Sequence, residues 1–535
     1  MKKLLASSRF ALWSVLMIWF LVRLYPITHT EPLTFTEVAA SRKLLDYGFF
    51  ELRGARLAVA YWTGTLPHPE AFRYMHYPLP MYWLLTFIFY LAGQYGVLAF
   101  VLFLKLAACV LVFKILDRHF ERFAAWFGSV LFAVAPCSII LDPDTDLVAV
   151  GAILWPIGVY GLMARPIQSK SARWLSVVAA FCAGQIAWFT LTVIPSLMAY
   201  CESWTRPVGE SLRALMRNKT ALLILTASVA SFACFLVQVV IYDPEIHQLI
   251  PFLRVKMGAS KVTMPRSQLL TLFPLRTVLF IGVALIVGLV AGLRSAWRKR
   301  EPLLMAALVY LPSFVLAALL IPHYFYMENM VYGSLLFPAA VLTTLAIQES
   351  RRWLVWLLAA LAVPGMIYGQ LFYAVPMISP AARVMADFVS KNTMKSDMVL
   401  TNLKGATPPF KSSDIWSGKA TRVVSDRLIF FEFGKLKDLD TVPVIMKSNA
   451  VPVVYLLSKS GPIEPALLEK LHRDGQLETA AKVVFPPQEL NVIEKLRAFV
   501  WYKVMRKGVA PASPAATVEQ RYEFEIYRLE KGSVP

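Results

Sequence analysis

Residues 277–293 read TVLFIGVALIVGLVAGL, seventeen positions without a charge. A helix on the surface of a soluble protein keeps one polar face for water, and this run leaves none. It is long enough to cross a hydrocarbon core of about 30 Å. ALWSVLMIWFLV at 11–22 and LLILTASVASFACFLVQVVI at 222–241 have the same character. Apolar runs of this kind recur to about residue 375 and then stop. Over the 535 residues, 57% are hydrophobic and 16% charged, and the mean hydropathy is +0.57. Soluble chains carry about 25% charged residues, so this composition points to a polytopic membrane protein.

The formal charge of +20 would suggest nucleic acid in a soluble protein. In a membrane chain Lys and Arg gather in the cytoplasmic loops instead, next to lipid headgroups. The reading is therefore membrane lipids as partners and no nucleic acid. Five cysteines (Cys109, Cys137, Cys182, Cys201 and Cys234) lie in or beside apolar segments, at spacings that suit neither zinc nor a redox pair. MKKLLASSRF before the first apolar run has the basic flank of a secretory signal, but no small-x-small cleavage site follows. The expectation is an uncleaved first helix.

Loop charge then orders the spans. Lys2, Lys3 and Arg9 hold the N-terminus inside, and helix one over about 10–27 runs outward. A long outer loop follows. The next apolar piece, PLPMYWLLTFIFYLAG, is short and breaks at Gly93. Lying in the interface or dipping partway, it leaves KILDRHFER (114–122) inside. Helix two is then expected at 97–115, helix three at 123–140, helix four at 147–163, and two short helices within 174–204. Helix seven spans 220–241 and helix eight runs to the basic RSAWRKR. Helix nine spans 303–320, helix ten ends at ESRR, and helix eleven spans 353–374. The outer loops are 28–96, 141–146, 243–275 and 322–329. About eleven crossings place the C-terminus outside.

Beyond residue 375 the pattern changes to alternating helices and strands. ARVMADFVSKN and PALLEKLHRDGQL read as helices, and DMVLTN, VPVVYLLSK and YEFEIYRLEK as strands. The fold class expected is a membrane module over 1–375 with a small α/β extracytoplasmic domain over 376–535.

Chemistry-bearing residues collect on the outer face. Glu37 opens a helical pattern whose apolar face is Ala40, Leu44 and Leu45. There it either favours a helix N-terminus or serves as a base. Asp142, Asp144 and Asp146 crowd one helix mouth, where like charges repel unless a cation or hydrogen bonds compensate. They read as a solvated helix start capped by Asp146, or as hard oxygen ligands for a divalent cation. The cations and aromatics of that face are Arg73, His76, Tyr77, Arg254, Lys256, Lys261, Arg266, His323 and Tyr326, with His68 beside them. Arg pairs with phosphate through two parallel hydrogen bonds.

The order of these elements resembles the GT-C glycosyltransferases, above all the protein O-mannosyltransferase-like and aminoarabinose-transferase-like enzymes. Glu37, His76-Tyr77-Pro78-Leu79 and Thr145-Asp146-Leu147 stand where those enzymes carry an acidic residue, a Pro-Pro-Leu motif and an Asp at a second outer loop. PHYFYMENMVYGSLLFPAA (322–340) resembles their late aromatic outer segment. Thr36 departs from the Asp of an Asp-Glu pair, and His76-Tyr77-Pro78 departs from Pro-Pro.

The resemblance implies transfer of a sugar from a polyprenyl-phosphate donor to a glycan, lipid or protein acceptor at the outer face of the cell (inner) membrane. It implies Glu37 as base, Asp146 as the residue orienting the base, the acceptor or a cation, and no required cofactor. A flippase would instead place its ionisable residues at the midplane of its spans, and these spans read as nearly charge-free. A non-catalytic scaffold for envelope assembly is the remaining alternative.

Overall fold

The computed structural model describes residues 7–28, 79–141, 218–242, 266–320, 329–350 and 352–373, five strands between 398 and 528, and scattered single residues elsewhere. The chain divides into two compact units, one of Met1–Thr30 with Met75–Phe372 and one of Glu31–Tyr74 with Tyr373–Pro535.

The first unit is helical. Its described elements are α1 (Ser8–Thr28), α2 (Pro80–His119), α3 (Arg122–Val134), α4 (Pro136–Leu141), α5 (Lys219–Tyr242), α6 (Arg266–Ile281), α7 (Val283–Lys299), α8 (Pro302–Leu320), a 3-10 helix (Asn329–Leu335), α9 (Leu336–Glu349) and α10 (Arg352–Tyr373). Among the described residues five helices are long and apolar enough to cross a membrane, or six if α6 and α7 count as one broken span. Helices one, seven, nine and eleven fall within about two residues of where the apolar runs put them. The helices expected at 147–163 and within 174–204 lie largely outside the described residues.

Three departures from the simple spans have local causes. First, α2 is 40 residues long, about 60 Å at 1.5 Å per residue and so twice a hydrocarbon core. It divides at Gly93, whose φ of 65° and ψ of −166° break the helix where the sequence suggests. Second, the expected helix three is two helices. Ala135 takes φ −59° and ψ 141°, and Pro136 brings no N–H to continue the ladder, so α3 stops and α4 starts afresh. Third, the run at 277–293 is not one span. Gly282, at φ 88°, turns the chain by 101° between α6 and α7. α6 also begins at Arg266, so the outer loop expected at 243–275 ends about ten residues earlier. Hydropathy cannot see such a turn, because Gly is apolar and equally at home in either conformation.

The core of this unit is α9, in which every residue from Leu336 to Ile347 is buried. Between layers of membrane helices no water is available to drive association, so close approach at small residues does the work. Gly288 and Gly292 of α7 face Thr343 and Leu342 of α9, and Gly128 of α3 faces Thr344. Thr343 Oγ1 donates to the Leu285 carbonyl at 3.3 Å.

Polar contacts gather four basic segments at one end of the unit. Ser8 Oγ donates to Asp117 Oδ2 at 2.7 Å, and Asp117 pairs with Arg122 at 3.2 Å. The Glu121 N–H donates to Gln348 Oε1 at 3.2 Å, and Lys299 Nζ lies 2.9 Å from Glu349 Oε1. The start of α1, the 114–122 segment, the end of α7 and the end of α9 therefore share one end. That is the grouping expected from loop charge. Near the other end of α1, Gln370 of α10 donates to the Val22 carbonyl.

In the second unit the five strands are β1 (Met398–Thr401), β2 (Leu428–Phe430), β3 (Val453–Ser458), β4 (Glu478–Phe485) and β5 (Tyr522–Arg528). They form one sheet in the order β2-β1-β3-β5-β4. β1 runs parallel to both β2 and β3, while β5 is antiparallel to β3 and β4. A register shift between Thr479 and Ala481 marks a bulge at the β4 edge. The sequence suggests β1, β3 and β5 but not β2 or β4.

Candidate functional site

Glu37, Arg73, His76, Tyr77, Asp142, Asp144, Asp146, Arg254, Lys256, Lys261, His323 and Tyr326 lie outside the described residues. Of Arg266 only the backbone, as the first residue of α6, is described. What the structure gives is the frame from which three of the segments depart.

The first is the start of α2, directly after His76-Tyr77-Pro78. Leu79 is the N-cap residue and has no side chain able to receive a helix N–H, and Pro80 at the first turn has no N–H to offer. The Leu79 N–H donates instead to Gln238 Oε1 of α5, 2.9 Å away in the interior. Gln238 thus anchors the Pro-Leu segment to a helix about 160 positions further along.

The second is α4, from which the chain passes to Asp142. Pro136 Cδ lies 2.9 Å from where a Cβ would stand on Gly282, and its Cγ 3.2 Å from the same point on Gly365. Ile139 Cβ approaches Gly369 in the same way at 3.1 Å. A helix of only six residues gains its orientation from such neighbours, not from its own hydrogen bonds. Arg23 of α1, fully buried, completes the clamp. Its Nη2 donates to the Ala133 carbonyl at 2.8 Å and to Ser138 Oγ at 2.6 Å, and its Nη1 to the Trp19 carbonyl at 3.0 Å. The guanidinium carbon lies 4.5 Å from the centre of the Trp19 ring.

The third is α6, which meets the 3-10 helix that follows His323 and Tyr326. Phe273, Phe280, Phe314 and Tyr332 form an aromatic cluster there, with Phe280 and Tyr332 stacked at 5.3 Å and Phe273 tilted against Tyr332 at 6.0 Å. Arg276, one helical turn from Phe273 and from Phe280, is buried and interacts electrostatically with Tyr332. Cations also lie within the helices, away from the loops where the sequence analysis expects them. Arg23, Lys105 and Arg276 are all buried. Arg23 and Lys105 lie inside expected spans, which corrects the view that these are nearly charge-free. The usable signal was a lone basic residue within an apolar run, a functional hint by default.

No group of three His, Cys, Asp or Glu able to hold a metal occurs among the described residues, and Asp142, Asp144 and Asp146 lie beyond them. The four described cysteines are free thiols.

No protein-family model and no curated protein sequence matches the chain. Solved structures do. ArnT from Cupriavidus metallidurans bound to undecaprenyl phosphate superposes with a TM-score of 0.56 at 14% identity, covering 88% of this chain and 95% of ArnT. The apo state of the same protein gives 0.55 at 14% identity with the same coverage. The Archaeoglobus fulgidus oligosaccharyltransferase, in complex with Zn and sulfate, gives 0.53 at 12% identity over 97% of this chain and 88% of its own. Identity this low speaks for the fold, and it does so over nearly the whole of each chain. Over nearly its whole length, then, this multi-pass membrane protein shares the fold of the ArnT and archaeal oligosaccharyltransferase structures.

Proposed function

We propose that the chain is a membrane glycosyltransferase taking its sugar from a polyprenyl-phosphate carrier at the outer face of the cell (inner) membrane. One observation carries this reading: its fold is shared, over 88% of the chain, with ArnT bound to undecaprenyl phosphate. The order of Glu37, the His76–Leu79 segment and Asp146 along the chain supports it.

In the proposed reaction an acceptor hydroxyl on a glycan, lipid or protein attacks the anomeric carbon with inversion. Its proton passes to Glu37 as the new C–O bond forms. The bond from that carbon to the phosphate oxygen breaks, and polyprenyl phosphate leaves with the electron pair. Asp146 orients the base, the acceptor or a cation held with Asp142 and Asp144. Arg73 and His76, with Arg254, Lys256, Lys261 and Arg266, neutralise the departing phosphate. Tyr77, His323 and Tyr326 line the sugar and carrier. The extracytoplasmic domain, 376–535, follows the last span.

Purified protein in liposomes with a radiolabelled polyprenyl-phosphate sugar tests the reading directly, by release of the free carrier. Arg254→Gln, Lys256→Gln, Lys261→Gln and Arg266→Gln bear on the leaving group. At least one of them should raise the KM for the donor severalfold while expression stays normal. Unchanged donor kinetics in all four removes this loop from the mechanism.

Orientation is tested separately. Arg118 is exposed at the end of α2 that carries the other basic segments. In a background lacking native cysteines, Arg118→Cys should react with membrane-impermeant maleimide only after the inner face is opened. Labelling in intact cells would invert the assignment and move the acidic cluster to the cytoplasm.

A further inference from the structure

A buried arginine inside a membrane helix is costly, so its contacts indicate what it is for. Arg23 sits fifteen residues along α1 from Ser8, about 22 Å from the end where the basic segments meet. Its contacts fall on either side of a single break. Where α3 stops at Ala135, its last carbonyls lose the donors a continuing helix would supply. In a lipid-embedded bundle such carbonyls must be satisfied from within the protein. The Ala133 carbonyl receives Arg23 Nη2 at 2.8 Å, and the same nitrogen reaches Ser138 Oγ in the first turn of α4 at 2.6 Å. The other terminal nitrogen holds to the Trp19 carbonyl of its own helix at 3.0 Å. The guanidinium lies against the Trp19 face, and its charge stands at the C-terminal, negative end of α3.

We infer that Arg23 is a positioning residue, tying α1 to both sides of the α3–α4 break and thereby fixing the direction in which the chain leaves Leu141 for Asp142, Asp144 and Asp146. This rests on the proposal that Asp146 belongs to the active site. A planar fork suits the task because its two terminal nitrogens face different helices at once. A lysine ammonium would keep the charge but lacks the second nitrogen, which ties the bridge back to the Trp19 carbonyl of α1. The glycine contacts on α4 hold it from the opposite sides: Pro136 against Gly282 and Gly365, Ile139 against Gly369. Arg23 is the polar member of that clamp, and it joins the segments after which Glu37 and Asp146 come.

The full-length protein in liposomes is the test, with Arg23→Met, Arg23→Lys, Ser138→Ala and the Arg23→Met/Ser138→Ala double variant. A misplacement of about 1 Å in a reacting group costs on the order of 10²-fold, and Arg23→Met should lower kcat to that extent. The donor KM should stay within about twofold of wild type, because misplacing a group that acts only in the transition state spares ground-state binding. Arg23→Lys should recover part of the loss, and it keeps the test usable if the methionine variant folds poorly. The double variant should be no worse than Arg23→Met alone, since both changes break one bridge.

A raised donor KM with kcat intact would make Arg23 a phosphate contact and overturn the inference. So would wild-type kinetics in Arg23→Met, or full additivity with Ser138→Ala. Pro143→Cys in a cysteine-free background separates this inference from the proposed function. Its maleimide labelling rate should change severalfold in Arg23→Met. If it does so in a protein that transfers no sugar, the clamp stands and the glycosyltransferase reading falls. An unchanged rate rejects the clamp, whatever the activity.

Discussion

Glu37→Gln should slow sugar transfer by about 10²–10⁴-fold while leaving expression and membrane insertion unchanged. The substitution keeps the shape of the side chain and much of its hydrogen bonding, and removes the basicity. A base earns its effect only in the transition state, where the acceptor proton is in flight, so kcat should fall and the donor KM should hold. Asp146→Asn should also impair turnover, with a share of the loss appearing as weaker acceptor or cation binding. Single-turnover transfer with pre-bound donor is the cleanest measurement, since it excludes product release. Near-normal transfer by Glu37→Gln would move the base elsewhere, with Asp46 and the Asp142–Asp146 cluster next in order. Loss of function with normal expression separates the enzyme from the scaffold, which has no need of a base at Glu37. The residue directly before Glu37 is Thr36 and not a second carboxylate.

How far the sequence could be read depended on what ends each helix. α1, α5, α8 and α10 lie almost where the apolar runs place them, because polar or charged residues such as Lys219, Glu301 and Arg352 bound those runs. The run at 277–293 was decisive for class and misleading for geometry. A glycine at positive φ bends it through about a right angle, and nothing in its hydropathy separates Gly282 from Gly288 or Gly292. Those other glycines stay helical and serve packing. Pro136 carried a clearer signal, since a proline after an apolar run commonly starts a new helix. β2, with three residues, is too short to show alternation, and the Ala pair within β4 reads equally well as helix. For the site, loops supplied the candidates. The residues that frame it (Gln238, Arg23 and Arg276) sit inside helices, where only contacts across the fold reveal their use.

The contact most intolerant of change is that between α7 and α9, and Gly292→Leu should abolish the folded protein. A Cβ on Gly292 would overlap the Leu342 carbonyl, whose carbon lies 2.8 Å from that point. Side chains can rotate away from an intruding methyl group, but a helix carbonyl cannot. α9 cannot retreat either, because α3, α8 and α2 pack on its other sides and every residue from Leu336 to Ile347 is buried. Overpacking a core commonly costs about 1–3 kcal/mol, and here no rotamer change relieves it. Gly292→Ala should therefore lower the melting temperature in detergent clearly, and Gly292→Leu should leave only aggregated protein on size-exclusion. Gly288, one turn earlier, meets the Thr343 side chain instead. Gly288→Ala should also lower the melting temperature, since the Thr343 Cβ itself lies 2.8 Å from that point and no rotation about χ1 moves it. Val290 lies between them on α7 and is 59% exposed, so Val290→Leu should leave the melting temperature as it is. A wild-type melting temperature for Gly292→Leu would mean that α7 does not press on α9 as described, and the Gly282 bend that delivers it there would lose its support. A loss equal in all four variants would point to insertion and not packing, because only packing distinguishes the buried face of α7 from its exposed one.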